Sequence, residues 1–99
     1  MPGLSPYAEK ALELACQAIV RAGKGEQERT LNCECFSIGT LAGAGGVPAD
    51  IALRILLRAA ATMPDHDPRL PWRPEEIDTK VRRAFNAGQA NPREVRRVA

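Results

Sequence analysis

"GEQERTLNCECFSIGTLAGAGG", residues 25–46, opens on charged residues, passes into an apolar-periodic segment and closes on a run of glycines. Leu31, Cys35, Ile38 and Ala42 recur at alternating intervals of four and three, the helical period. A helix is therefore predicted from about Glu28 to Ala44, with those four residues as its core stripe and Lys24 to Gln27 as the preceding loop. Gly39 and Gly43 lie one turn apart within it, and each costs about 1 kcal/mol relative to alanine in a helix interior. Something must offset that loss. The simplest candidate is the close approach of another helix, whose backbone or small side chains fill the groove that the two glycines open. Gly45-Gly46 then ends the helix and turns the chain.

Upstream, Ser5-Pro6 supplies an N-cap followed by proline at the first helical position, where its missing N–H costs nothing. Ala8, Leu12, Ala15, Ile19 and Ala22 then form one stripe, and Gly23 reads as a left-handed stop, giving a first helix over about 5–22. Downstream, Pro48-Ala49-Asp50 opens a third helix over about 48–63. Asp50 suits its positive end and can pair with Arg54. Ile51, Leu53, Ile55, Leu56 and Leu57 leave only a narrow polar strip carrying Arg54 and Arg58, so this helix is central or lies at an interface. "PDHDPRLPWR", residues 64–73, contains three prolines and forms a rigid connector. Trp72 and Ile77 are placed for a hydrophobic staple around Pro74. A fourth helix over about 74–87 turns Ile77, Val81, Ala84 and Phe85 inward, pairs Glu76 with Lys80 and Asp78 with Arg82, and stops at Gly88. The expectation is an all-α bundle of four helices spanning residues 5–88, with a linker at 1–4 and a basic tail at 89–99.

Composition agrees with one small soluble domain, because 99 residues bury a single modest core. No apolar run approaches the roughly 20 residues that span a bilayer, and no basic-then-apolar signal pattern opens the chain, so a cytoplasmic protein without a membrane partner is expected. Three cysteines and no secretory signal favour reduced thiols. Charge is uneven: residues 1–68 hold six basic and eight acidic side chains, residues 69–99 eight basic and four acidic. The C-terminal third is thus a candidate anion-facing surface, with Arg82, Arg83, Arg93, Arg96 and Arg97 available to phosphates.

Several patterns that suggest chemistry dissolve on inspection. Cys33 and Cys35 point about 200° apart on a helix and cannot chelate one ion, so Cys35 is expected in the core and Cys33 near the surface. The glycines at 43–46 follow a helix rather than a strand and lack the Gly-Lys-Ser/Thr of a phosphate loop. Asp65, His66 and Asp67 have no nucleophile beside them and read as a turn in which the two carboxylates cap backbone donors. No catalytic residue, metal or cofactor is expected. Asn32 stays open between two roles: a buried asparagine tying the helix to a neighbouring loop, or a direct contact to nucleic acid.

Gly25, Leu31, Asn32, Phe36, Gly39, Leu41 and Gly45 also fit a Gly-x-Arg-Asn-x-x-Leu-Asn opening followed by an aromatic and a "Gly-x-Leu" helix ending in glycine. "ALRILLRAAATM" supplies an alanine- and leucine-rich helix, and in "TKVRRAFNAGQANPR" the residues Lys80, Val81, Arg83, Ala84, Gly88, Pro92 and Arg93 fit a closing helix. Residues 7–93 thereby resemble the small helical module near the C-terminus of primase-type replication proteins, of the Toprim and Prim-Pol kinds, carried by phages, plasmids and integrated elements. Gln27-Glu28 stands where that pattern has Arg-Asn, with Arg29 displaced by two positions. The resemblance implies a non-catalytic accessory domain, since the catalytic carboxylates of such primases lie in other domains. It would engage single-stranded DNA or a nucleotide through Arg29, Asn32, Lys80, Arg83 and Arg93, beside the catalytic domain of a parent protein. Two alternatives are an interaction or homodimerisation domain using helix three and the Gly39/Gly43 groove, and a helix-turn-helix DNA reader built from helices two and three. The second is weakened by a helix three that offers chiefly Arg54 and Arg58 to a groove.

Overall fold

The computed structural model describes residues 4–94 and contains four helices: α1 (Pro6–Arg21), α2 (Gln27–Gly43), α3 (Ala49–Ala60) and α4 (Pro74–Gln89). Among the described residues there is no strand, and the chain is the expected all-α bundle. Residues 1–3 of the expected linker (1–4) and residues 95–99 of the expected basic tail (89–99), with Arg96 and Arg97, lie outside the described residues. α1 packs on α2 and α3, α4 packs on α2 and α3, and the α2–α4 pairing is much the most extensive. No helix is long and apolar enough to cross a membrane.

The α2–α4 contact is backbone on backbone. A Cβ on Gly39 would sit 2.3 Å from the Phe85 carbonyl oxygen and 3.0 Å from Gly88 Cα; one on Gly88 would sit 2.2 Å from the Phe36 carbonyl oxygen. Gly43 meets Gln89 in the same way, with 2.5 Å to its carbonyl oxygen. The groove opened by Gly39 and Gly43 is therefore filled from within the domain by α4. Gly88 is not the stop expected from its place near the end of the pattern. It lies buried inside α4, and its missing side chain is the other half of the crossing. Glu28 pairs with Lys80 toward the start of both helices and Gly43 meets Gln89 toward their ends, so the two run in the same direction.

Local signals place the other ends. Ser5 Oγ accepts from the Ala8 N–H at 3.1 Å, capping α1 with Pro6 at its first position. α1 ends at Arg21, and the left-handed residue in the following turn is Gly25 (φ 85°), not Gly23. α2 closes in a Schellman motif: the Gly45 N–H donates to the Ala42 carbonyl, the Gly46 N–H donates to the Leu41 carbonyl, and Gly45 has φ 80°. Ala8, Leu12, Ala15 and Ile19 of α1, Leu31, Cys35, Ile38 and Leu41 of α2, and Ile77, Val81, Ala84 and Phe85 of α4 form the core with Ala52, Leu56 and Ala60 of α3. Ile51, Leu53, Ile55 and Leu57 are only half-buried, so α3 sits at the edge of the bundle rather than at its centre. Asp50 and Arg54 form no ion pair among the described residues.

The connector is held by side chains. Asp65 Oδ1 accepts from the Trp72 N–H at 2.8 Å and Asp67 Oδ1 from the Arg69 N–H at 3.0 Å, so both carboxylates cap backbone donors as expected. His66 Nε2 donates to the Ala22 carbonyl at 3.1 Å. Gln27, expected in a loop, is the first residue of α2 and is buried. Its Nε2 donates to the Pro64 carbonyl (2.7 Å) and its Oε1 accepts from the Trp72 indole N–H (3.0 Å), which fixes the amide orientation because neither partner can reverse its role. Trp72 at N′ and Ile77 at N4 border one cavity, the arrangement of a staple.

The glycine crossing predicts opposite outcomes for two alanine substitutions. Gly39→Ala gains about 1 kcal/mol of helix propensity but forces two backbones apart, and a net loss of about 2 kcal/mol or more is expected in urea unfolding. Gly23→Ala has nothing within 4 Å and no left-handed backbone, and should stabilise by about 0.5 kcal/mol. A stabilised Gly39→Ala would contradict the crossing.

Candidate nucleic-acid interface

α2 presents Glu28, Arg29 and Asn32 at helical spacing, and α4 presents Lys80 and Arg83 one turn apart. Together with Gly25 these line an open cavity of about 510 Å³ at the N-terminal end of the α2–α4 pair. Four of the five expected ligands, Arg29, Asn32, Lys80 and Arg83, are thus brought together from segments about fifty residues apart in sequence. Gly25, with its positive φ, turns the chain into α2 at the rim. A second cavity of about 340 Å³ shares Lys80 and Arg83 and adds Arg73, Glu75, Glu76 and Thr79, extending the polar surface along α4.

Two of the cations are already engaged. Lys80 Nζ lies 2.5 Å from Glu28 Oε1, in place of the expected pairing with Glu76, because the parallel packing of α2 and α4 puts Glu28 within reach. Arg29 Nη2 lies 2.5 Å from Glu26 Oε2. Arg83 and Asn32 make no hydrogen bond or ion pair among the described residues. Asn32 is exposed, which excludes the role of a buried tie and leaves its amide directed at solvent on the cavity wall. Phe36, one turn beyond Asn32, is 38% exposed and continues the same stripe.

Arg93 lies elsewhere. Its guanidinium donates to the Ser37 carbonyl (2.7 Å), Ser37 Oγ (2.9 Å), Thr40 Oγ1 (3.0 Å) and Tyr7 Oη (3.3 Å), and its backbone N–H donates to the Thr40 carbonyl (3.1 Å). These bonds fasten the chain after α4 onto α2, roughly two turns from the cavity. Arg93 acts here as a clasp, and a solvated basic tail does not begin before it. Sequence reasoning also missed Glu28, which looked like part of a departure from a motif but supplies the carboxylate of the cavity. Asp78 and Arg82 pair as expected, at 2.9 Å.

Cys35 is buried and Cys33 exposed, as expected, and Cys16 is half-buried. Burial pushes the Cys35 thiol up to about 12, with Cys16 and Glu34 adding to the effect, and burial also raises Cys16. Among the described residues no three His, Cys, Asp or Glu side chains gather as a metal-binding group.

Two measurements follow. Arg93→Ala should lower unfolding stability by about 1–3 kcal/mol, because Thr40, Ser37 and Tyr7 lose their common donor; an unchanged midpoint would show that the clasp carries nothing. Iodoacetamide labelling of the native protein followed by peptide mass spectrometry should modify Cys33 and spare Cys35, of which only about one in ten thousand is thiolate at pH 8. No family model matches the chain, and no curated protein or solved structure is significantly similar to it.

Proposed function

We propose that the domain is a non-catalytic accessory module of a primase-like replication protein, holding single-stranded DNA in the α2–α4 cavity beside the catalytic domain of its parent. The observation that carries this reading is the convergence of Arg29, Asn32, Lys80 and Arg83 on one open cavity. The likeness of residues 7–93 to the helical module of such proteins adds to it. Three cations and one carboxylate line the cavity, an excess of two charges. That matches one or two phosphodiesters better than the larger negative charge of a nucleoside triphosphate. Phe36 offers a ring on which a base can stack, and Asn32 a donor and an acceptor. Glu28 and Glu26 are exposed partners whose ion pairs are worth little, so phosphate displaces them at small cost.

A second reading, docking of the parent's catalytic domain or of a second copy, draws on the half-buried apolar residues of α3. The Gly39/Gly43 groove is no part of it, since α4 occupies that groove. Sedimentation at increasing concentration, alone and with the neighbouring domain, separates the two readings.

Fluorescence anisotropy with a labelled oligothymidylate tests the first. Affinity should fall as salt rises, with a log–log slope of about −1.4 for two phosphate contacts. Arg83→Ala should weaken binding about tenfold, and Glu28→Gln, which frees Lys80, should strengthen it several-fold. No binding at low salt, or equal affinity in both variants, would refute the assignment.

A further inference from the structure

On the other flank of α4 lies a smaller cavity, about 300 Å³, with the opposite electrostatic character. Leu57, Met63 and Ile77 form apolar walls, Trp72 contributes its ring, and Asp65 and Asp78 contribute carboxylates; among the described residues no lysine or arginine lines it. Asp78 and Lys80, two residues apart on α4, project about 200° from each other, so the two cavities do not share a surface. The ring of Trp72 is fixed in advance: its indole N–H is on Gln27, its backbone N–H is on Asp65, and Gln27 is itself tied to the Pro64 carbonyl. Such order lowers the cost of binding. Each carboxylate keeps one oxygen uncommitted. Asp65 uses Oδ1 for the Trp72 N–H, and Asp78 uses Oδ2 for Arg82. The Asp78–Arg82 pair is about half exposed and readily gives way to a better-placed cation.

An aromatic ring, two carboxylates and an apolar wall are complementary to one kind of group: a planar cation on a flexible hydrocarbon stem. The guanidinium of arginine stacks on indole and pairs with carboxylates, while its methylenes cover apolar surface. We propose that this cavity is a socket for an arginine side chain presented by a protein partner. Two carboxylates repel a phosphate backbone, so nucleic acid is not the occupant. A volume at the lower end of the range for ligand pockets suits one side chain rather than a cofactor.

Trp72 is the only tryptophan, and its emission reports directly on the socket. A blocked Gly-Gly-Arg-Gly-Gly peptide, titrated at fixed ionic strength, should change that emission saturably with half-saturation in the roughly millimolar range for a single side chain. The same peptide with citrulline, neutral but of the same shape, should not. Asp78→Asn, a half-exposed change whose fold is checked by circular dichroism, should weaken the arginine peptide about threefold or more. Equal responses to arginine and citrulline, no saturation with the arginine peptide, or undiminished affinity in Asp78→Asn would each overturn the socket. None of these results bears on strand binding at the opposite flank of α4, which is tested separately.

Discussion

Gly39 and Gly88 remove the side chains from the point where α2 and α4 cross, and the two backbones meet there at a distance that no Cβ allows. Gly39, in the interior of α2, costs about 1 kcal/mol of helix propensity, a loss that the α2–α4 contact must more than offset. Dispersion and burial along that contact do so only because the two backbones approach closely at the crossing. The core confirms the arrangement. Phe85, the largest fully buried side chain among the described residues, is also the residue whose carbonyl faces Gly39.

Because the crossing lies in the C-terminal halves of two parallel helices, their N-terminal halves are separated by side chains instead of backbone. Lys80 and Glu28 span that gap, and the open cavity occupies it. The candidate interface is therefore a geometric consequence of the glycine contact. α4 also turns Asp78 to its far flank, where the connector, held by Gln27, sets Trp72 against it. A single helix thus presents Lys80 and Arg83 to one cavity and Asp78 to another, and the buried stripe of Ile77, Val81, Ala84 and Phe85 keeps both in register.

What the sequence discloses is governed by distance along the chain. Ser5-Pro6, the alternating stripe of α1, the Gly45-Gly46 turn and the capping roles of Asp65 and Asp67 are local devices, legible because their partners lie a few residues away. The glycines of α2 were readable as a demand for a close neighbour, but the neighbour was not. Gly88 looks like a helix stop because terminal glycine usually is one, and only the fold reveals that it completes the crossing. Gln27, with partners 37 and 45 residues distant, reads as a loop residue beside a charged run. Arg93, bonded to groups 53, 56 and 86 residues away, reads as one more cation in a basic segment. Cationic candidates can be nominated from sequence. Which of them share a cavity depends on helix packing, and three did, beside the neutral Asn32.

The charge balance of the α2–α4 cavity bears on how it could hold a strand. If all its cations were unpaired, their mutual repulsion would press on the folded state; Glu28 and Glu26 relieve that by holding Lys80 and Arg29. Exposed pairs of this kind contribute little to stability, so giving them up costs little, yet they keep the side chains near the positions a phosphate would need. Arg83 and Asn32 need displace no protein partner. First contact would then fall to these two groups, with Lys80 and Arg29 following as phosphate replaces carboxylate. On the proposed reading, such an exchange would suit a site that binds and releases a strand rather than one that grips it.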